Sequence, residues 1–144
     1  MTEIYEHALL RAPMDIACPR CQGRAVFTSR HNKALPVTVR KADGTVSPNN
    51  QDGQVRCTAC HHVAAHTLDW PGQAWFRIEY KGQVLWAKDA EMMAEIRRFI
   101  AAGADRNAIG KASVWWRYLL RIPSHFLGAQ ARTAVLRKID KLLA

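Results

Sequence analysis

The sequence predicts an α+β fold in which a β-rich, cysteine-bearing first half leads into one further β-hairpin and about three helices. Three observations predict it. Two Cys-x-x-Cys pairs lie in the first half, alternating runs of β-branched and aromatic residues surround and follow them, and the last third spaces its apolar residues at helical intervals. With 144 residues, 49% of them hydrophobic and five of them tryptophan, the chain has the apolar surface to offset the entropy of ordering. We expect two lobes, residues 1–70 and 71–144, sharing one core.

In chain order, the segment up to Ala17 has little periodicity, although Ile4, Ala8 and Leu9 suit a turn or two of helix. Ala25 to Thr28 has strand composition, and Pro36 to Arg40 alternates in a strand-like way. Asp43-Gly44 then supplies a hairpin turn, with Thr45-Val46 returning. Ser47 to Gln54 is a stretch of polar turn formers and reads as a surface loop. His62 to Trp70 can extend as a strand. The strongest β signal is the pair Ala74–Tyr80 and Gln83–Ala87 around Lys81-Gly82, which reads as a hairpin.

Asp89 stands where its carboxylate can cap a helix carrying Met92, Ile96, Phe99 and Ile100 on one stripe, with Arg97 and Arg98 near the end and Gly103 as the stop. A second helix is expected from Ala108 to Ile122, ended by Pro123, with Val114, Trp115, Tyr118, Leu119 and Ile122 facing inward. A third runs from Ala129 to Leu143, where Ala131, Val135, Leu136, Ile139, Leu142 and Leu143 cover an arc of roughly 140°. Arg132 falls inside that arc. It must either snorkel to the edge or pair with an acid such as Glu79, Glu95 or Asp105.

Cys18-Pro19-Arg20-Cys21 and Cys57-Thr58-Ala59-Cys60 are the chemically specific motifs. Two residues between cysteines let the chain turn tightly and aim both sulfurs at one point, and two such knuckles make a tetrahedron of thiolates suited to zinc. The expected architecture is therefore a four-cysteine zinc ribbon with β-hairpins, followed by a β-hairpin and about three helices. The 35 residues between the knuckles exceed the common spacing of roughly 15–20, and the hairpin with its polar loop accounts for the excess. A closed shell of four cysteines leaves no position for water or substrate, so the expected Zn2+ is structural, not catalytic. A redox role for the Cys18–Cys21 pair would need a βαβ setting that the pattern lacks. His61, His62 and His66 read as ordinary polar residues on the outgoing strand, with replacement ligands or partners of phosphate as the sharper alternatives.

The formal charge is +9. Its surplus is concentrated in the last 39 residues, where Arg106, Lys111, Arg117, Arg121, Arg132, Arg137, Lys138 and Lys141 face a single acid, Asp140. Such a surface attracts phosphate backbones through counterion release and, for arginine, bidentate hydrogen bonding. Trp115 shares a face with Leu119 and Ile122 and reads as core, whereas Trp116 suits either core packing or stacking on a base. Gly110-Lys111-Ala112-Ser113 is no P-loop: Gly103 lies seven positions upstream where five are required, and alanine replaces the magnesium-binding hydroxyl. Neither paired carboxylates nor a Ser-His or HExxH pattern appears, so an enzyme is not expected.

No run of about 18 apolar residues could span a bilayer, and Met1 to Asp15 lacks the basic start and apolar core of a secretory signal. We expect a cytoplasmic protein whose thiols stay reduced. The knuckles, the stretch Gly82 to Ala87 and the segment Ile122 to Asp140 together resemble small bacterial proteins with a transcription-factor-IIB-type zinc ribbon, sometimes labelled fragments of the primosomal replication-restart helicase. The resemblance spans most of residues 15–143. It implies a ribbon with a helical tail, zinc on Cys18, Cys21, Cys57 and Cys60, and family positions for Arg132 and Leu136. His125 departs from it, standing where the pattern more often has tryptophan, as does the long insertion between the knuckles. The helicase label has no motor motif behind it in this sequence. The resulting expectation is a non-enzymatic zinc protein that contacts DNA or RNA through Arg106, Lys111, Trp116, Arg117, Arg121, Arg137, Lys138 and Lys141. The alternative is a protein-interaction module, an adaptor or an immunity-type inhibitor, built on the same ribbon. Neither a membrane nor a small-molecule substrate is expected as partner.

Overall fold

The computed structural model describes residues 13–29, 51–70 and 72–144. The fold is α+β, and the chain divides into two compact units, Met1–Trp75 and Phe76–Ala144. The expected helix near Ile4–Leu9 and the expected hairpin across Pro36–Val46 lie outside the described residues.

The first unit is an antiparallel meander of β1 (Met14–Ala17), β2 (Arg24–Ser29), β3 (Gln51–Cys57) and β4 (Val63–Leu68), in the order β1-β2-β3-β4. Its register pairs Met14 with Phe27, Phe27 with Val55, Ile16 with Ala25, and Ala25 with Cys57. Because side chains alternate across a strand, these residues share one face, and all of them are buried. The opposite face carries Asp15, which accepts from Arg24 Nη2 at 2.8 Å.

Two expectations change here. The second half of the Ser47–Gln54 loop is strand: Gln51 to Gln54 pair with β4, and Gly53 and Gln54 pair with β2 as well, so partners across the sheet override a turn-forming composition. Ala74 and Trp75 do not begin the next hairpin. Ala17 N–H donates to Gln73 O, Trp75 N–H donates to Asp15 O, and Ile16 bridges to Ala74, so Gln73–Trp75 closes the otherwise open edge of β1.

The second unit starts with the hairpin β5 (Phe76–Tyr80) and β6 (Gln83–Ala87). Lys81 and Gly82 turn it with φ of 49° and 79°, the positive pair that a two-residue hairpin loop requires. Helix α1 (Ala90–Ala101) is capped by Asp89, whose Oδ1 accepts from Met92 N–H at 2.9 Å, and it buries Met92, Met93, Ile96, Phe99 and Ile100. Gly103, at φ 58°, ends that run.

The expected helix Ala108–Ile122 is broken. It consists of α2 (Arg106–Ala112) and a single turn, α3 (Trp116–Leu119). Ser113 is extended, with ψ 148°, and its buried Oγ accepts from Trp115 N–H at 3.1 Å, taking the place of the helical ladder. The break turns Trp115 inward, at 9% exposure, while Val114 is left 62% exposed instead of facing the core. Tyr118 lies over Trp86 with ring centroids 4.4 Å apart, and its hydroxyl accepts from Trp86 N–H at 3.1 Å.

Helix α4 (Ala129–Leu143) has the expected bounds and buries Ala131, Val135 and Ile139. Arg97 of α1 ties to it through Asp140, with Nε–Oδ1 at 2.5 Å and Nη2–Oδ2 at 3.3 Å. The fork holds the Asp140 carboxyl below its usual value, first through the hydrogen bond and then through the guanidinium charge. A depressed carboxylate stabilises the fold above its unfolded value of about 3.9 and loses that contribution as the pH falls through the lower folded one. Asp140→Asn should therefore lower the thermal midpoint slightly at neutral pH, since the pair is exposed, and the gap from the parent should close in strong acid and shrink in high salt. A pH series of melts measures this.

Arg132 meets none of its expected acids. Glu79 is held by Arg77 and Glu95 by Arg98, and among the described residues no carboxylate pairs with Arg132.

Candidate functional site

Both knuckles are turns between neighbouring strands, Cys18–Cys21 joining β1 to β2 and Cys57–Cys60 joining β3 to β4. The β2–β3 register, with Ala25 opposite Cys57, brings the two turns to the same end of the sheet. The four Sγ atoms all lie within 4.8 Å of one another. A tetrahedron with metal–sulfur bonds of about 2.3 Å places its sulfurs about 3.8 Å apart. Cys18–Cys60 stand at 3.8 Å and Cys21–Cys57 at 3.5 Å, so the spacing fits a metal held by four sulfurs.

The two knuckles repeat one construction. The first sulfur of each accepts from the amides two and three residues on: Arg20 N–H and Cys21 N–H at 3.3 and 3.5 Å for Cys18, Ala59 N–H and Cys60 N–H at 3.3 and 3.4 Å for Cys57. The residue after each second cysteine, Gln22 or His61, has φ of 65° or 62° and swings the chain back. Each turn then closes as Cys18 N–H reaches Gly23 O at 2.7 Å and Cys57 N–H reaches His62 O at 2.8 Å. Sequence reasoning missed this part of the site. Its only trace was the equal spacing of the two pairs, because the donors are backbone amides that carry no residue signature.

Those amides also set the acidity of the thiols. Cys60 N–H leads in holding Cys57 down at about 6, against burial and with help from Ala59 N–H and the Cys21 and Cys60 thiols. Cys18 is lowered too: burial opposes its charge, but the amides of Cys21 and Arg20 outweigh it. For Cys21 the Gly23 amide favours the thiolate, yet Cys57 and Cys60 beside it push the thiol up to about 12. Four anions cannot share so small a space unaided. A cation at their centre removes the conflict and releases the remaining thiol protons.

The histidines stand apart from this cluster, which among the described residues consists of the four cysteines alone. His61 is an exposed turn residue, and histidine is among the few non-glycine types that tolerate that backbone region. His66 packs edge-on against Phe27, and its Nε2 pairs with Gln73 Oε1 at 2.8 Å.

The cationic residues fall into separate groups within the second unit. Arg137, Lys138 and Lys141 are exposed within about one turn of α4. Around α3, Trp116 is 45% exposed with Arg117 Cζ 5.2 Å from its ring centroid, and Arg121 and Lys111 are exposed nearby in sequence. Arg106 turns partly inward and donates from Nη1 to Gly103 O at 3.1 Å. Gly110 and Lys111 belong to α2, where Gly110 admits Phe99 and Leu120: a Cβ there would lie 2.8 Å from Phe99 Cε1. That segment is packed helix and makes no phosphate loop.

Among the described residues no helix is long and apolar enough to cross a membrane. No protein-family model, curated protein or solved structure matches this chain, so the reading of the site rests on its own geometry.

Proposed function

We propose that the protein is a non-enzymatic, cytoplasmic zinc protein that contacts nucleic acid through the basic surface of its second unit. Zinc is preferred over iron for the cysteine cluster because it accepts four thiolates without a redox role, and the cluster's closed shell suits a structural ion. The reading also accords with the resemblance to bacterial proteins carrying a zinc ribbon. The observation that carries the nucleic-acid part is the fate of Asp140. It is the one acid after Asp105, and it is taken by Arg97 of α1. The exposed Lys111, Arg117, Arg121, Arg137, Lys138 and Lys141 have no carboxylate partner among the described residues.

Binding to labelled DNA and RNA as a function of salt tests the proposal. Engagement of about six phosphates gives a slope near −5 in log K against log salt for duplex DNA. Undetectable binding at about 50 mM salt, where the phosphate term is strong, would refute it. Metal analysis of the purified protein should return one zinc per chain.

A second reading, a protein-interaction module, has one observation in its favour. Val114, Trp116 and Leu120 are large apolar residues left 62%, 45% and 40% exposed on one short stretch. A stoichiometric protein partner that co-purifies after nuclease treatment would favour it.

A further inference from the structure

Two arginines converge on the turn after α1. The guanidinium of Arg132 lies face-on over Gly103: a Cβ built there would meet Nη2 at 3.1 Å and both Cζ and Nη1 at 3.2 Å. A Cβ at that distance would make the guanidinium give by a few tenths of an ångström, and the local φ of 58° favours glycine in its own right. Arg106 gives one N–H to the Gly103 carbonyl oxygen at 3.1 Å. Arg132 Nε is fully shielded from water and has no acceptor, and no other donor of Arg132 has a protein partner among the described residues.

This arrangement is unbalanced. Two full positive charges meet at the C-terminal end of α1, whose dipole offers roughly half a negative charge. A buried N–H without an acceptor and a half-buried guanidinium without a counter-ion are both costly. An oxyanion with several acceptor oxygens on the accessible part of the guanidinium would supply the missing counter-ion, because the guanidinium presents paired donors that match phosphate geometry. Both side chains are only half-buried, so such an anion can reach their accessible parts, Arg132 Nε excepted.

We propose that Arg106 and Arg132, brought together at the Gly103 turn, form an oxyanion site that takes a phosphate group. That the phosphate is one of a nucleic-acid backbone rests on the function proposed above. Arg132 then has a ligand role that its place on the apolar arc of α4 conceals.

The test follows the arginine side-chain N–H resonances of the full, metal-loaded chain in three titrations: inorganic phosphate, chloride at matched ionic strength, and a short single-stranded oligonucleotide. The Arg132 Nε–H and Arg106 signals should move with phosphate and stay fixed with chloride, and the oligonucleotide should move them at far lower concentration. Arg132→Lys, which keeps charge and stem but loses the fork, should weaken oligonucleotide binding about tenfold. Arg132→Gln should in addition reduce the salt slope by about 1. Equal responses to phosphate and chloride would mean screening alone and would overturn the site. Oligonucleotide binding that leaves both arginine signals unmoved would overturn it while sparing the nucleic-acid reading. A phosphate response without oligonucleotide binding would keep the site, as one for free phosphate, and remove that reading. These outcomes are read on the parent chain, so a variant that fails to fold does not obscure them.

Discussion

Cys57→Ser should abolish the cooperative unfolding of the first unit and strip hydrogen-exchange protection from the amides of β1 to β4. Cys57 is at the centre of this unit in three ways. Its sulfur is one of the four clustered thiols that could hold a metal, it accepts from Ala59 and Cys60 N–H, and it stands opposite Ala25 where β2 meets β3. A structural zinc contributes on the order of 10 kcal/mol to folding in small metal modules. A small β-sheet cannot replace that contribution, since its other stabilisation is the burial of a few side chains such as Ile16, Phe27 and Val55. Chelation should reproduce the effect, and restored zinc should reverse it in the parent and not in the variant. A metal-free protein that still melts cooperatively with β1–β4 protected would refute the structural role. Acid acts in the same direction: the ligands bind as thiolates, so metal affinity falls with pH.

The second large effect is expected at Gly53. In β3 it lies opposite Ser29 on one side and His66 on the other, and a Cβ there would stand 2.0 Å from Thr28 O, with Phe27 ring carbons at 2.7 and 2.9 Å. The ring belongs to a fully buried side chain that also receives the His66 edge, and the carbonyl is backbone, so neither can yield cheaply. Gly53→Ala should destabilise the first unit by about 3 kcal/mol or more, an overpacking cost at the upper end of its kind because β2 and β3 must separate. Denaturant melts of the zinc-loaded protein measure it, and a loss below about 1 kcal/mol would show that the strands can part without penalty.

Gly53 also marks where the sequence stops being informative. Within Ser47–Gln54 it reads as one more turn former, and nothing local announces a backbone carbonyl and an aromatic ring against its Cα. Strand β1 was illegible for a related reason. Its four residues are held by Arg24–Phe27 on one side and by Gln73–Trp75, distant in the chain, on the other. The break at Ser113 depends on a side-chain hydrogen bond that helical periodicity cannot register. Trp115 was nonetheless correctly read as core, because its spacing to Leu119 and Ile122 survives the break.

By itself the sequence determined the features whose cause is local or strictly periodic: the two knuckles, the Lys81-Gly82 hairpin, the Asp89 cap and the whole of α4. A short spacing, a positive-φ turn, a capping carboxylate and a repeat of 3.6 residues each act within a few positions of the chain. Only the tertiary structure decided that four sulfurs stand within 4.8 Å, that Gln51–Gln54 is strand, that Asp140 is taken by Arg97, and that Arg132 lies on Gly103 without an acid. Each of these depends on which groups approach across long stretches of chain, where hydrogen bonding, charge and close contact select the partner and composition does not.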